Sequence, residues 1–205
     1  MEKINYQNKL LEIVKDFNDE KPTVLLHSCC GPCSTQVIDF LKSYFNITIY
    51  YYNPNIEPYE EYLKRKQEQI RFINEYNNKN SDKIKYIDSD YDNESFENFI
   101  KGLEREPEGG ARCSKCFYLR LKNTALKAKE YDFDYFGTTL TVSPHKNSQV
   151  INKIGESISN ELDIKFIYGD FKKNDGYKKS IEFSKIYNLY RQDYCGCIYG
   201  KDALE

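Results

Sequence analysis

The chain has 205 residues, with 30 Lys and Arg against 32 Asp and Glu, 19 Tyr, no Trp and 7 Cys. That length suits a single domain, because one hydrophobic core keeps growing up to roughly 250 residues, and a net charge of -2 argues against a broad phosphate-binding surface while leaving room for a local basic patch. With a mean hydropathy of -0.76 and no apolar run near the about 20 residues of a membrane span, no transmembrane helix is expected.

The N-terminus, Met1 to Gln7, is polar and lacks the apolar stretch and cleavage site of a secretory signal, so a cytoplasmic location is expected. Leu10, Leu11, Val14 and Phe17 recur at helical spacing within an N-terminal segment 1–20, and Pro22 stops that helix before the β-branched run Thr23 to Leu26. A helix from about Ser34 to Tyr44 precedes a buried strand, Ile47 to Tyr52, closed by Asn53-Pro54-Asn55. A long helix from about Pro58 to Asn77 leads to a short third strand, Ile84 to Ile87, and a helix near Ser95 to Leu103 ends in the loop Pro107-Glu108-Gly109-Gly110. The next helix spans about Cys113 to Tyr131, the fourth strand Phe133 to Phe136 with Thr138-Thr139, a further helix Ser148 to Leu162, the fifth strand Lys165 to Tyr168, and a last helix about Lys178 to Leu189.

Five short strands separated by helices predict a right-handed βαβ series. The expected fold is a three-layer α/β, Rossmann-like domain over 1–205 with a mostly parallel five-stranded sheet, whose ligands bind beyond the carboxyl ends of the strands. Segment 190–205 carries the last cysteines, and Leu204-Glu205 is read as a cloning remnant and set aside.

The cysteines fall into three clusters: Cys29-Cys30-Gly31-Pro32-Cys33, Cys113-Ser114-Lys115-Cys116 and Cys195-Gly196-Cys197. Seven is odd and a cytosolic thiol pool keeps cysteines reduced, so a disulfide scaffold is not expected. The first cluster follows the first strand, and the second opens a helix whose N-terminal dipole favours thiolate. Structural zinc needs four ligands and leaves three cysteines over, as does an iron–sulfur cluster; four plus three suits a cluster beside a second metal. Zinc alone, a cluster alone and a thiol-exchange pair at Cys30 and Cys33 are the alternatives.

His145, directly after the fourth strand, belongs to a loop on the same edge, together with Lys146; His27, inside the first strand, reads as structural. Asn53, Asn55 and Arg65 also fall along this edge, where a substrate would lie. Lys172-Lys173, Lys178-Lys179 and Lys64-Arg65-Lys66, interleaved with Tyr177, Tyr59 and Tyr62, supply the charges and rings that a single-stranded RNA loop needs, although each run alone is also explained as a solvated face.

Five blocks then carry a resemblance: His27 to Cys33, Tyr52 to Ile56, Glu108 to Cys116, Thr138 to Lys146 and Tyr190 to Cys197. In this order they resemble the signature blocks of the QueH-type epoxyqueuosine reductases, over about Lys21 to Tyr199. The resemblance implies an adenine-nucleotide-hydrolase-like sheet and a cytoplasmic oxidoreductase of tRNA queuosine biosynthesis. It further implies a [4Fe-4S] cluster with an additional iron ion, a tRNA substrate carrying epoxyqueuosine at the wobble position, an external low-potential donor of ferredoxin or flavodoxin type, and no membrane. That family has Cys or Asp at the position of Cys33, a variation that a single iron tolerates.

On this basis Cys30, Cys113, Cys116 and Cys197 are expected to hold the cluster and Cys29, Cys33 and Cys195 the iron, since adjacent side chains such as Cys29 and Cys30 diverge in extended backbone. His145, Asp193 and Tyr194 are the proton-donor candidates, and Asn53, Asn55, Arg65 and Lys146 the substrate-binding ones. A zinc-stapled tRNA-binding module without redox chemistry is the rival. A tRNA thiolation enzyme would need a Gly/Ser-rich pyrophosphate loop where Cys29 to Cys33 stand, so use of ATP is not expected.

Overall fold

A computed structural model describes residues 3–17 and 21–201; Leu204-Glu205 lie outside the described residues. The strands β1 (Thr23–His27), β2 (Asn46–Tyr51), β3 (Lys85–Asp88), β4 (Tyr135–Thr138) and β5 (Lys165–Phe166) form one sheet in the order β3-β2-β1-β4-β5. Every pairing is parallel, with Leu25 opposite both Thr48 of β2 and Phe136 of β4.

Helices cover both faces, giving the expected three layers. Val24 and Leu26 of β1 point to the side packed by α1 (Tyr6–Lys15), α2 (Gly31–Leu41) and α3 (Tyr59–Lys79), whereas Leu25 points to α5 (Ala111–Glu130) and α6 (Ser148–Leu162), as the two-residue strand period requires. A short α4 (Asn93–Ile100) and α7 (Gly176–Ile186) complete the long helices, and α8 (Ile198–Lys201) is a single turn. Within the described residues, no helix is long and apolar enough to cross a membrane.

The strand order reverses between β1 and β4. The crevice outside the carboxyl ends of these two strands is where a doubly wound sheet receives its ligands, and the turn after β1 and the loop after β4, with a 3-10 turn at Leu140–Val142, flank it.

Several boundaries differ from the sequence reading for identifiable reasons. Helix α2 begins at Gly31 rather than Ser34 because Pro32 occupies its first turn, where a fixed φ is already helical. Strand β4 begins two residues late: the Asp134 carboxylate accepts from both Thr23 N and Thr23 Oγ1 (2.8 Å each), which keeps 133–134 in the turn. Helix α7 stops at Ile186, ahead of Asn188 in the left-handed region. His27 is structural, as expected: its ring is buried between Thr138 Oγ1 (3.0 Å) and Arg120 Nε (3.2 Å), and burial lowers its pKa to about 3, so it is neutral.

Candidate metal centre

All seven cysteines are free thiols and all lie at the carboxyl edge of the sheet or at the cavities that open beside it. The first group is local. The chain bends at Cys29, the Ser28 hydroxyl donates to the Cys30 carbonyl (3.1 Å), and Cys30 caps α2 so that Cys33 returns one turn later. The sulfurs of Cys29, Cys30 and Cys33 lie within 4.8 Å of one another, with Cys29 and Cys30 3.7 Å apart. Tetrahedral thiolates at about 2.3 Å from a metal stand about 3.8 Å apart, so this spacing suits one ion.

The expected divergence of Cys29 and Cys30 is therefore corrected. The backbone turns at Cys29 instead of running on as a strand, and both sulfurs come to one side. Hydrogen bonds from the Cys30 and Cys33 thiols hold Cys29 well below the usual thiol range, while burial pushes Cys30 up to about 12. Three thiols thus share one readily formed negative charge, and a bound cation would displace the remaining protons.

The second group is assembled from distant segments. Cys113, Cys116, Cys195 and Cys197 line a cavity of about 180 Å³. Among the described residues no other trio of His, Cys, Asp or Glu ligand atoms comes as close as the first group, so these four surround a space instead of meeting at a point. Cys113 and Cys116 sit in the first turns of α5, and the Gly109 N–H donates to Cys113 Sγ (3.2 Å). Burial raises Cys116 and pushes Cys197 up to about 12, so here too a metal would replace protons.

The C-terminal segment reaches the cavity because three devices hold it. Gly196 has φ +105, and a Cβ there would meet Ile56 Cγ1 at 2.8 Å and Arg65 Nη1 at 3.0 Å, so only glycine fits between the two cysteines. Arg65, 1% exposed, pairs with Glu61 (2.7 Å) and donates to the carbonyls of Cys195 (3.2 Å) and Tyr194 (3.4 Å). Arg112 donates to the carbonyls of Glu104 (2.8 Å) and Tyr199 (3.2 Å), tying the segment to the start of α5.

A larger cavity of about 320 Å³ adjoins the first and shares Cys195, Lys146, His145 and Glu108 with it; Cys29 and Cys33 line its floor side together with Pro32. By position Cys29, Cys30 and Cys33 lie together and Cys113, Cys116, Cys195 and Cys197 line the smaller cavity, while Cys195 also lines the larger one with Cys29 and Cys33.

The remaining predicted site residues separate cleanly. His145 and Lys146 line both cavities, Asp193 and Tyr194 the larger, Asn55 the smaller. The Tyr194 hydroxyl donates to the Glu57 carbonyl (2.7 Å). Asn53 and Arg65 line neither cavity: Asn53 donates to the Ser28 carbonyl (2.9 Å) and accepts from Arg120 (2.7 Å), so both residues support the site from beneath.

Sequence reasoning passed over Arg120 and Gln192. Arg120 lies one helical turn after Cys116 on the same face of α5, a spacing that could have found it, and its Nη1 stands 3.8 Å from Cys116 Sγ. Gln192 Nε2 donates to Cys30 Sγ (2.9 Å), a contact between remote segments that carries no local signal.

A family profile described as epoxyqueuosine reductase QueH matches residues 24–203. Proteins named epoxyqueuosine reductase QueH are similar over most of the chain: one from Staphylococcus epidermidis, 46% identical over 97% of this chain and 85% of its own length, and one from Streptococcus pyogenes, 43% identical over 97% and 78%. A third, from Staphylococcus aureus, is 43% identical over 97% of this chain and 84% of its own. The chain belongs to the QueH family of epoxyqueuosine reductases.

Proposed function

We propose that this protein removes the epoxide oxygen of epoxyqueuosine in tRNA: both C–O bonds break, the carbons remain as the alkene of queuosine, and the oxygen leaves as water with the uptake of an electron pair and a proton pair. The observation that carries this reading is the convergence of seven thiols on two adjoining cavities at the switch point of the sheet. One redox thiol pair would need two of them, and a closed zinc site four.

The donor set fits metal in both places: soft, buried thiolates, three at the spacing of a single ion and four around a space large enough for a cluster. Cys113, Cys116, Cys195 and Cys197 would hold a [4Fe-4S] cluster, and Cys29, Cys30 and Cys33 an iron ion. Bound there, these groups would supply electrons singly and a Lewis acid for the epoxide oxygen.

The protein's own residues do the rest. The larger cavity, walled by Tyr177, Ser180 and Asp193, receives the cyclopentane group of the modified base beside Cys29 and Cys33. His145, exposed to solvent yet part of both cavities, relays protons from water, with Asp193 as its partner across the larger one. Tyr194 positions the segment through Glu57 and Arg65. Asn55 and Lys146 face the space between the centres. Exposed Lys178, Lys179 and Arg191, beside Tyr177, meet phosphates of the anticodon loop. A cytoplasmic low-potential ferredoxin or flavodoxin supplies the electrons.

The test is turnover. Protein purified anaerobically is mixed with tRNA carrying epoxyqueuosine and dithionite, and the nucleosides are analysed by mass spectrometry after digestion. Conversion to queuosine is expected; iron-loaded protein that leaves the epoxide intact contradicts the assignment.

A further inference from the structure

Three cations border the four-thiol cavity, and none of them has a carboxylate partner among the described residues. Arg120, 2% exposed, spends its donors on His27 Nε2 (3.2 Å), Asn53 Oδ1 (2.7 Å) and Cys116 Sγ (3.8 Å), all of them groups without a fixed negative charge. Arg112, 1% exposed, donates to backbone carbonyls, and its buried Nε has no partner among the described residues. Lys146 is half-buried between the two thiol groups, and among the described residues no ion pair or hydrogen bond engages its Nζ. Arg65 shows what the fold does elsewhere: an equally buried guanidinium pairs with Glu61 at 2.7 Å. The one carboxylate in the lining of this cavity, Glu108, is exposed to solvent.

A buried cation left unpaired is strongly unfavourable, so a fold that retains several around one space is built to receive an anion. Four thiolates outweigh the charge of the cluster core they would hold, and three outweigh that of a divalent ion, so both centres assigned above would be net anions. We propose that Arg112, Arg120 and Lys146 are the counter-ions of the thiolate-bound metal, and that the charges of Arg120 and Lys146 raise the reduction potential of the group held by Cys113, Cys116, Cys195 and Cys197.

The sign follows from electrostatics. Reduction makes an anionic centre more negative, and a fixed positive charge in a poorly solvated site favours the reduced form more than the oxidised one. Arg120 adds an N–H aimed at the Cys116 sulfur, which acts in the same direction. Arg112 is bound into the backbone of the C-terminal segment and so combines this role with a structural one.

The inference rests on the cluster reading, and the experiment separates the two. Wild type, R120Q, R120K and K146Q are purified anaerobically as full chains, assayed for iron and sulfide, and titrated potentiometrically with electron paramagnetic resonance. At the poise that half-reduces wild type, the reduced-to-oxidised ratio is expected to fall about tenfold in R120Q, which is about 59 mV for a one-electron couple, and about threefold in K146Q. R120K, which keeps the charge, stays within about twofold of wild type. K146Q and R120Q that hold wild-type iron and sulfide and titrate with wild type overturn the proposal and leave the cluster standing. Wild type without sulfide overturns the cluster reading and this proposal with it. Should R120Q fail to take up iron, K146Q decides alone: a lowered potential supports the proposal and an unchanged one overturns it.

Discussion

The three-thiol and four-thiol groups lie side by side yet are built by different means. Cys29, Cys30 and Cys33 come from five consecutive residues at the β1–α2 turn, anchored by a strand that is buried from Val24 to His27. Cys113, Cys116, Cys195 and Cys197 come to line one cavity only because the C-terminal segment is carried back across the molecule and held by Gly196, Arg65 and Arg112. The local group inherits its geometry from the core, whereas the assembled group depends on tethers that can be cut one at a time.

The largest effect should come from the assembled group itself. Cys113→Ala is expected to abolish the cluster signal in electron paramagnetic resonance and turnover together, while Cys29, Cys30 and Cys33 keep one metal per chain; full turnover without the cluster signal would remove it from the mechanism. Next is Arg65→Met, which removes the cation from the largely buried Glu61, leaving it the Tyr190 hydroxyl, and costs about 3 kcal/mol of stability, measured by denaturant unfolding. In the folded variant, Cys195 and Cys197 should be alkylated faster while Cys29 and Cys30 keep their wild-type rates; equal acceleration at all four would erase the contrast between the groups.

Gly196→Ala should act in the same direction with a smaller loss, about 1 kcal/mol or more, because a side chain is strained at that φ and meets Ile56. Its readout is again the alkylation pattern together with the unfolding midpoint. The smallest effect is a pH dependence at the point where the C-terminal segment starts. Hydrogen bonding from Arg71, and then from the Tyr190 N–H at 2.6 Å, holds the Glu68 carboxylate below its usual range. That contribution is fully present above the unfolded-state value of about 4.3 and is lost as pH falls through the lower folded value, so Glu68→Gln should flatten the acid limb of the stability curve. An unchanged acid limb would take Glu68 out of the tether.

Much of this architecture was legible along the chain. Helical and strand periods located all five strands and the parallel sheet, because buried runs such as Val24 to Leu26 carry their signal locally. The spacing of the cysteines was legible as metal chemistry for the same reason. What stayed hidden is non-local. Whether Cys30 joins Cys29 depends on a bend of the backbone, and whether Cys195 joins Cys113 depends on Arg65 and Gly196 reaching each other across more than a hundred residues. Arg65 and Asn53 fall on the correct edge in sequence but point beneath it, a direction set by packing against the Tyr194–Cys195 backbone and Arg120.

Mössbauer spectroscopy of the anaerobically isolated wild-type protein, with iron and acid-labile sulfide counted per chain, tests the central division most directly. The account predicts two iron species, a four-iron cluster and a thiolate-bound single ion, and therefore more iron than sulfide. Zinc without sulfide, or a cluster with no second species, would contradict it.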